Sequence, residues 1–124
     1  MIVRDLLTDY YRYANQGDWD RWCGLFAPGA VVDEQLAGRI EGRDGLRALT
    51  ADLGRAYTSF ANVPRHVLVD GGQAAVVSRV TARGALGDLV EADVANYFRI
   101  EGGRIAYLAN FHDTAPFRGD SRRR

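Results

Sequence analysis

The first part of the chain carries apolar side chains at the spacing of one helical face. In residues 2–15 these are Val3, Leu6, Leu7, Tyr10, Tyr13 and Ala14. They recur at intervals of three and four residues, which predicts an amphipathic helix. Gly17 ends the pattern, and Asp18 is a typical N-cap for a second, shorter helix. The sequence therefore predicts two helices that meet at a tight corner.

The second helix is expected to run to Phe26 and to stop at Pro28 and Gly29, because proline and glycine disfavour a helix interior. A strand over residues 30–36 follows, where apolar and polar side chains alternate. After a polar stretch, leucines recur at helical spacing, which predicts a third helix beginning near Gly42. The apolar face of this helix is made by Leu46, Leu49 and Leu53.

From residue 63 onward the pattern changes from the period of a helix to that of a strand. Strand-like runs occupy residues 63–70, 73–83, 89–100 and 104–112. The connections between them are short and contain glycine, which suits hairpin turns. Helices followed by a meander of strands indicate an α+β domain, in which the strand at 30–36 joins the same sheet. We interpret residues 1–117 as one domain and residues 118–124 as a flexible basic tail.

The composition narrows the classes of partner. Apolar residues make up 47% of the chain and charged residues 26%, the balance of an ordinary globular protein. The formal net charge is zero, so the electrostatic footprint of a nucleic-acid-binding protein is missing. No apolar run reaches the ~20 residues of a membrane-spanning helix, and the first residues do not resemble a secretion signal. We therefore expect a cytoplasmic protein that binds neither nucleic acid nor membranes.

Several chemistries need residue types that this chain lacks or has only once. Cys23 is the single cysteine, which excludes an intramolecular disulfide and a four-cysteine zinc site. All 16 basic residues are arginines, so no lysine can form a Schiff base. His66, His112 and Glu34 could in principle form a two-histidine, one-carboxylate metal site, but the helical spacing of metal-binding histidines is absent. We expect no metal and no cofactor.

The order of helices, corners and turns resembles that of a known superfamily. The features that carry the resemblance are the Gly17-Asp18 corner before Trp19, the strand at residues 30–34, and a helix entry at Gly42-Arg43-Asp44 before the long meander. This order resembles the nuclear transport factor 2-like superfamily, and within it the SnoaL-like polyketide cyclases and the ketosteroid isomerases. The resemblance implies a cone-shaped, cystatin-like fold, with three N-terminal helices packed on a curved, mostly antiparallel sheet around one pocket.

Compared residue by residue with the ketosteroid isomerases, the chain keeps a tyrosine and a carboxylate. The resemblance places Tyr10 at the tyrosine of the oxyanion hole and Glu34 at the general-base aspartate. Asn96 falls where the isomerases carry a protonated aspartic acid, and an amide also supplies a neutral donor. His112, with Asn110 two residues before it, falls near the strand end where SnoaL-like cyclases place acid and base groups. The resemblance thus implies four catalytic residues, namely Glu34, Tyr10, Asn96 and His112.

The pattern leaves two side-chain orientations open. Strand alternation puts Glu34 on the apolar face of its strand, and a slip of one residue would put Asp33 there instead. His66 resembles a histidine of scytalone-dehydratase-like members, but its facing is ambiguous. We include it among the residues expected to contact a bound small molecule. The other members of that set are Trp22, Phe26, Val32, Val94, Phe98 and Asn110.

Three functions are compatible with these residues. The first is a cofactor-free acid/base enzyme, an isomerase or polyketide cyclase, that moves a proton beside a carbonyl of a small apolar substrate. The second is a binding or assembly module of the same fold, which would leave Glu34 exposed or paired with Arg39. The third is a dehydratase that uses His66 and Tyr10. Tyrosines on the outer face of the sheet suit a homodimer.

Overall fold

The computed structural model describes residues 2–117, which form three helices and one six-stranded sheet. The helices are α1 (Val3–Gln16), α2 (Trp19–Gly24) and α3 (Gly42–Ala56), and a short 3-10 helix spans Ala115–Phe117. The strands are β1 (Phe26–Glu34), β2 (Gly38–Glu41), β3 (Tyr57–Asp70), β4 (Gln73–Gly84), β5 (Leu89–Glu101) and β6 (Arg104–Phe111). The predicted α+β class is confirmed. The predicted basic tail at residues 118–124 lies outside the described residues.

The strands lie in the order β2-β1-β6-β5-β4-β3. The predicted meander is confirmed, since β3, β4, β5 and β6 pair antiparallel with their neighbours in sequence. β1 joins the sheet beside β6 and runs parallel to it, whereas β2 pairs antiparallel with β1. The sheet is therefore mixed but mostly antiparallel, and its first and last strands in sequence order meet near its middle.

The start of β1 differs from the prediction. The second helix ends at Gly24 rather than Phe26, and Pro28 and Gly29 lie inside β1 instead of terminating a helix. The pairing of β1 with β6 shifts register between Phe26 and Val31. This irregularity accommodates Pro28, which has no backbone N–H to donate to the neighbouring strand. β1 also ends at Glu34, because the chain turns back there to form the short strand β2.

β3 begins six residues earlier than the hydrophobic pattern predicts, since the chain passes directly from α3 into the strand at Tyr57. The register of β3 against β4 shifts between Pro64 and His66. Such a bulge inserts one residue and reverses the alternation of side chains beyond it. Just before the bulge the even-numbered residues of β3 face the concave side of the sheet, and after it the odd-numbered residues do.

The helices pack on the concave face of this sheet. The largest fully buried side chains include Phe26 of β1, Leu46 of α3, Phe98 of β5 and Ile105 of β6. The corner between α1 and α2 is closed by Gly17, whose φ of 69° lies in the left-handed region, and by Asp18, which accepts a hydrogen bond from the Arg21 N–H. Within residues 2–117 no helix has the length and hydropathy to cross a membrane.

The turn between β3 and β4 offers a test of this packing. A Cβ at Gly72 would lie 2.9 Å from the backbone oxygen of Ile100, which cannot move aside as a flexible side chain would. We expect Gly72→Ala to lower the free energy of unfolding by about 1–3 kcal/mol. Gly54→Ala is the control, because Gly54 lies in α3 with nothing near its Cβ, and this change should stabilise by about 0.5–1 kcal/mol. Urea unfolding of both variants checks the two signs, and a stabilised Gly72→Ala would contradict the close approach.

Candidate functional site

A cavity of about 130 Å³ lies between the concave face of the sheet and the helices. Its walls are mostly apolar, and they include the predicted residues Trp22, Val32 and Val94. An engineered cavity of about 150 Å³ holds one benzene ring, so this cavity has room for about one ring, and because it opens to solvent the rest of a larger compound can extend outside it. Such an enclosure, with a few polar groups in apolar walls, is typical of a small-molecule site.

A row of polar side chains crosses the floor of this cavity. Val32 pairs with Leu108 and Asp33 with Ala109, so the parallel register brings Glu34 next to Asn110. Asn110 in turn pairs with Asn96 across β6 and β5. All three polar side chains line the cavity, and apolar residues flank the row on both sides.

Glu34 is held in place by the turn that follows it. Its Oε2 accepts hydrogen bonds from the backbone N–H groups of Leu36 and Ala37, and its side chain is 16% exposed. Its Oε1 lies 3.5 Å from Nε2 of His112. The Gln35 N–H of the same turn donates to Oδ1 of Asn110 at 3.3 Å. The carboxylate is thus oriented by backbone donors, with one oxygen directed at a histidine.

His112 follows the last residue of β6, and its side chain is 4% exposed. Nδ1 lies 2.8 Å from the backbone oxygen of Asp113. Because a carbonyl oxygen only accepts, Nδ1 carries a proton and donates it there. In the neutral ring Nε2 is then the unprotonated nitrogen, and it faces Glu34. The two atoms that face each other are thus Nε2 of His112 and Oε1 of Glu34. At 3.5 Å the contact is long for a hydrogen bond, so both atoms stay within reach of a bound molecule.

The choice between the two acids of β1 is decided by these contacts. Asp33 lies on the other face of the strand, where Oδ2 accepts a hydrogen bond from the Tyr107 hydroxyl and Oδ1 lies 3.8 Å from Arg39. Arg39 also contacts Glu41. Glu34 is therefore the acid of the cavity, and its partner is His112 rather than an arginine.

Tyr10 lies against the aromatic side chains beneath the cavity. Its ring is 5.0 Å from that of Phe98 and 5.4 Å from that of Trp22, measured between centroids. Burial raises the pKa of Tyr10 well above its ordinary value, so the hydroxyl stays protonated and can donate a hydrogen bond. This is the protonation state that an oxyanion-stabilising group needs.

The geometry of Asn96 does not fit the role predicted for it. Its Nδ2 donates to the Val76 oxygen at 3.1 Å and to Oγ of Ser78 at 3.0 Å, so both amide hydrogens are used within the protein. Asn96 lines the cavity as part of a buried network, but it has no amide hydrogen left to stabilise an enolate oxygen. The role of Asn96 as an oxyanion donor therefore stays a prediction, and this geometry counts against it.

Two predicted wall residues lie below the cavity rather than in its lining. Phe26 and Phe98 are 0% exposed and belong to the core. They pack against Tyr10, with ring centroids 6.4 Å and 5.0 Å from its own. We correct the prediction that they contact a bound molecule, because Tyr10 lies in the cavity lining and they lie in the core behind it.

His66 is exposed and does not line the cavity. It pairs with Val77, whose side chain points to the outer face of the sheet, because the bulge after Pro64 reverses the alternation. The structure therefore places His66 outside the cavity in which the prediction expected it. In residues 2–117 no group of three or more His, Cys, Asp or Glu side chains is placed to hold a metal ion.

Several lining residues were not found from the sequence. Tyr57, Phe60 and Asn62 line the cavity from the first part of β3, which the hydrophobic pattern did not assign to a strand. Phe117 also lines it, and its ring centroid lies 4.7 Å from that of His112. A strand that starts directly at the end of a helix has no turn residues before it to mark its start. The available signal was the spacing of Phe60 and Asn62, which lie two residues apart and so share one face of a strand.

The sequence profile of the SnoaL-like domain matches residues 7–108. The chain belongs to this SnoaL-like family. The match covers both Tyr10 and Glu34, whereas Asn110 and His112 follow its end. No curated protein matches this SnoaL-like chain.

Solved structures of low sequence identity share the fold of the SnoaL-like chain. An NTF2-like protein of unknown function from Burkholderia pseudomallei is 16% identical with a TM-score of 0.85, and 92% of each chain is covered. IdmH from Streptomyces antibioticus, a candidate polyketide cyclase, is 17% identical with a TM-score of 0.80, and 91% of this chain and 93% of IdmH are covered. A candidate SnoaL-like polyketide cyclase from Jannaschia is 19% identical with a TM-score of 0.75, covering 88% and 83%. At these identities the likeness establishes the cone-shaped fold alone.

Alkaline titration tests the burial of the tyrosines beneath the cavity. Burial raises the pKa of both Tyr10 and Tyr11, and for Tyr11 the neighbouring Tyr10 adds to the effect while Ser78 opposes it. Above about pH 10 the unfolded chain ionises these phenols and the native protein does not, so stability should fall as the pH rises further. Tyr10→Phe should weaken this dependence, as followed by thermal melting between pH 8 and 11. Tyr97→Phe, on the outer face, is the control; an equal effect of both changes would contradict the assignment.

Proposed function

We propose that this SnoaL-like protein is an acid/base enzyme that works without a cofactor and moves a proton beside a carbonyl group of a small, mostly apolar substrate. The observation that carries the proposal is the meeting of Glu34 and His112 at 3.5 Å in an apolar cavity that also contains Tyr10. Two groups that exchange protons and one neutral donor are what enolisation of a carbonyl compound requires.

In the first step, the Glu34 carboxylate takes a proton from the carbon next to the carbonyl, and the electron pair of that C–H bond moves onto the carbonyl oxygen. The Tyr10 hydroxyl donates a hydrogen bond to the resulting enolate oxygen. In the second step, the proton returns to the substrate at a different atom. In an isomerase this atom is another carbon, and in a cyclase the enolate carbon attacks a second carbonyl, whose oxygen takes the proton.

His112 has a relay role in this scheme. Its Nδ1 is engaged by the Asp113 carbonyl, so Nε2 is the nitrogen that can accept the proton from Glu34 and release it again. A proton held between two groups can be delivered to a different atom of the substrate from the one that supplied it. This property suits isomerisation and ring closure alike.

Asn110 is a better candidate than Asn96 for a second hydrogen-bond donor to the substrate. Its Oδ1 accepts from the Gln35 N–H at 3.3 Å, and this bond orients the amide. The Nδ2 group is the other end of the same amide, and Asn110 lies in the polar row between Glu34 and Asn96. We assign Asn110 to substrate binding.

The alternatives are less well supported. A binding module without chemistry was expected to leave Glu34 exposed or paired with Arg39, yet Arg39 contacts Asp33 and Glu41. A dehydratase that uses His66 would need this histidine in the cavity, and it lies on the outer face. A secondary-metabolite substrate such as a polyketide agrees with the candidate cyclases among the structural neighbours. A cytoplasmic location is part of the same proposal and rests on the sequence alone.

The base can be tested by proton exchange, which requires no knowledge of the natural product. We use 2-tetralone, a two-ring ketone, and follow by NMR the replacement of its α-protons in D2O. Glu34→Gln keeps the size of the side chain and an oxygen for the two backbone donors, but it removes the proton acceptor. We expect the enzyme-dependent rate to fall by roughly two to four orders of magnitude.

Asp33→Asn is the matched control, because Asp33 is the neighbouring acid on the other face of the same strand. It should leave the exchange rate nearly unchanged. Equal losses in both variants would indicate damage to β1 rather than loss of a base. A Glu34→Gln protein as fast as wild type would refute the role of Glu34, and a wild type no faster than buffer would favour the binding module.

We also assign the outer face of the sheet to a homodimer. Val77, Ala95 and Phe111 form a row across β4, β5 and β6, and Val77 and Phe111 are 40% and 57% exposed. Arginine and acidic side chains flank this row, with Arg79 contacting Glu91 and Asp93. An apolar row between charges of both signs is self-complementary, as a two-fold interface requires.

Sedimentation velocity checks this assembly. Phe111→Asp places a charge in the apolar row and should convert the dimer to a monomer at micromolar concentration. Leu86→Asp is the control, because Leu86 is 85% exposed in the turn between β4 and β5, outside the row. A wild type that sediments as a monomer would refute the homodimer, and dissociation by both changes would place the interface elsewhere.

A further inference from the structure

Asn62 is a polar residue of the cavity that the proposed reaction does not use. It lies on the edge strand β3 and lines the cavity, with an exposed fraction of 8%. Glu34 and His112 approach from β1 and the end of β6, so β4 and β5 lie between them and Asn62. The cavity therefore has polar groups on two opposite sides, and Val80 and Val94 are apolar lining residues on the strands between them.

The backbone of Asn62 is fully engaged. Its N–H donates to Oδ1 of Asn15 at 2.6 Å, and Nδ2 of Asn15 donates to its carbonyl oxygen at 3.0 Å. These two bonds satisfy an edge strand that has no further strand beside it. They also join α1 to β3, and so they fix where the side chain of Asn62 begins.

The side-chain oxygen of Asn62, unlike its backbone, has no hydrogen-bond partner in the described part of the chain. This oxygen, Oδ1, is buried. Buried side-chain oxygens are normally hydrogen-bonded, and one without a partner destabilises the free protein. Val80, its partner in the adjacent strand, is apolar, so the neighbouring strand does not supply a donor there. An unpaired amide at this position is explained if it serves a molecule in the cavity.

We infer that the Asn62 carboxamide binds a hydroxyl group of the substrate, at the end remote from the carbonyl that Glu34 and His112 act on. A hydroxyl donates one hydrogen bond and accepts others, so it can satisfy the unpaired Oδ1. A ketone or ether oxygen cannot donate. The terminal torsion of asparagine is broad, which lets the amide turn its oxygen towards a donor in the cavity.

The inference specifies the substrate class and rests on the proposed function for the orientation of the bound molecule. The substrate would be a hydroxylated carbonyl compound with an apolar middle part. The apolar walls hold this middle part, and the two polar ends set which carbon lies at Glu34. A site that pairs a buried amide with a hydroxyl rejects analogues that lack the hydroxyl.

The test is a comparison of binding affinities, which do not depend on the rate of proton exchange. Isothermal titration calorimetry compares the affinity for 2-tetralone with the affinities for its 5-, 6- and 7-hydroxy derivatives. Three derivatives are used so that the hydroxyl is presented to Asn62 from three ring positions. We expect the wild type to bind at least one hydroxylated isomer about tenfold more tightly than 2-tetralone. Asn62→Leu, similar in size but apolar, should remove this preference.

The melting temperature separates a binding role from a structural role. Because Oδ1 is unpaired in the free protein, Asn62→Leu should melt at the same or a higher temperature while it loses the preference. Asn62→Val, suited to a strand, serves as a second variant if leucine prevents folding. Val80→Ala is the matched control, because it enlarges the same part of the cavity. It should lower the affinity for all four compounds alike, so that the preference for the hydroxylated isomer persists.

Each result bears on the inference separately from the reaction. A wild type with no preference for any hydroxylated isomer would overturn it, as would an Asn62→Leu protein that keeps the preference or melts much earlier. A clear preference that Asn62→Leu abolishes would support it, even if Glu34→Gln showed that no proton transfer takes place. A wild type that prefers a hydroxylated isomer but does not accelerate α-proton exchange would count against the proposed function alone.

Discussion

The parallel pairing of β1 with β6 is the contact on which the candidate site depends. It places Glu34 beside the end of β6 and so beside His112, which is 78 residues later in the chain. A parallel pair cannot be joined by a short turn, and here α3 and the whole meander form the connection. The pairing is anchored at its start by the Ile105 N–H, which donates to the Leu25 oxygen at 2.9 Å. Glu34 and His112 lie at the ends of two different strands, and it is this register that brings their side chains into contact.

Polar groups in an apolar cavity destabilise a fold unless other groups satisfy them. This chain satisfies most of its buried polar groups through the backbone and through neighbours on the sheet. Oε2 of Glu34 is held by the turn into β2, and Nδ2 of Asn96 by β4. Such fixed groups do not need to reorganise when charge develops on a substrate, which is how preorganised sites stabilise transition states. Asn62 departs from this pattern, because its backbone is satisfied and its side-chain oxygen is not.

The aromatic cluster under the cavity determines how rigidly Tyr10 is held. Tyr10, Trp22 and Phe26 contact one another with centroid separations of 4.8 to 6.4 Å, and Trp22 is closest to Phe26. The cluster joins α1, α2 and β1, the three elements that precede the meander. The same side chains therefore stabilise the corner between the helices and position the hydroxyl. A change made in this cluster to alter activity would also alter the stability of the fold.

Local periodicity determined a large part of this protein. The apolar face of α1 and the hairpins of the meander both follow from the repeat of side chains along one segment, since burial selects one face of each element. The same repeat narrowed the acid of the cavity to Glu34 or Asp33, and the contacts of the two side chains decided between them. The tertiary structure alone decided what depends on partners far away in sequence. The bulge after Pro64 turned His66 outward, Ser78 and Val76 occupied the amide of Asn96, and the direct passage from α3 into β3 brought Asn62 into the cavity. Register shifts, hydrogen-bond partners and cavity walls arise from pairs of segments, and a single segment does not carry that information.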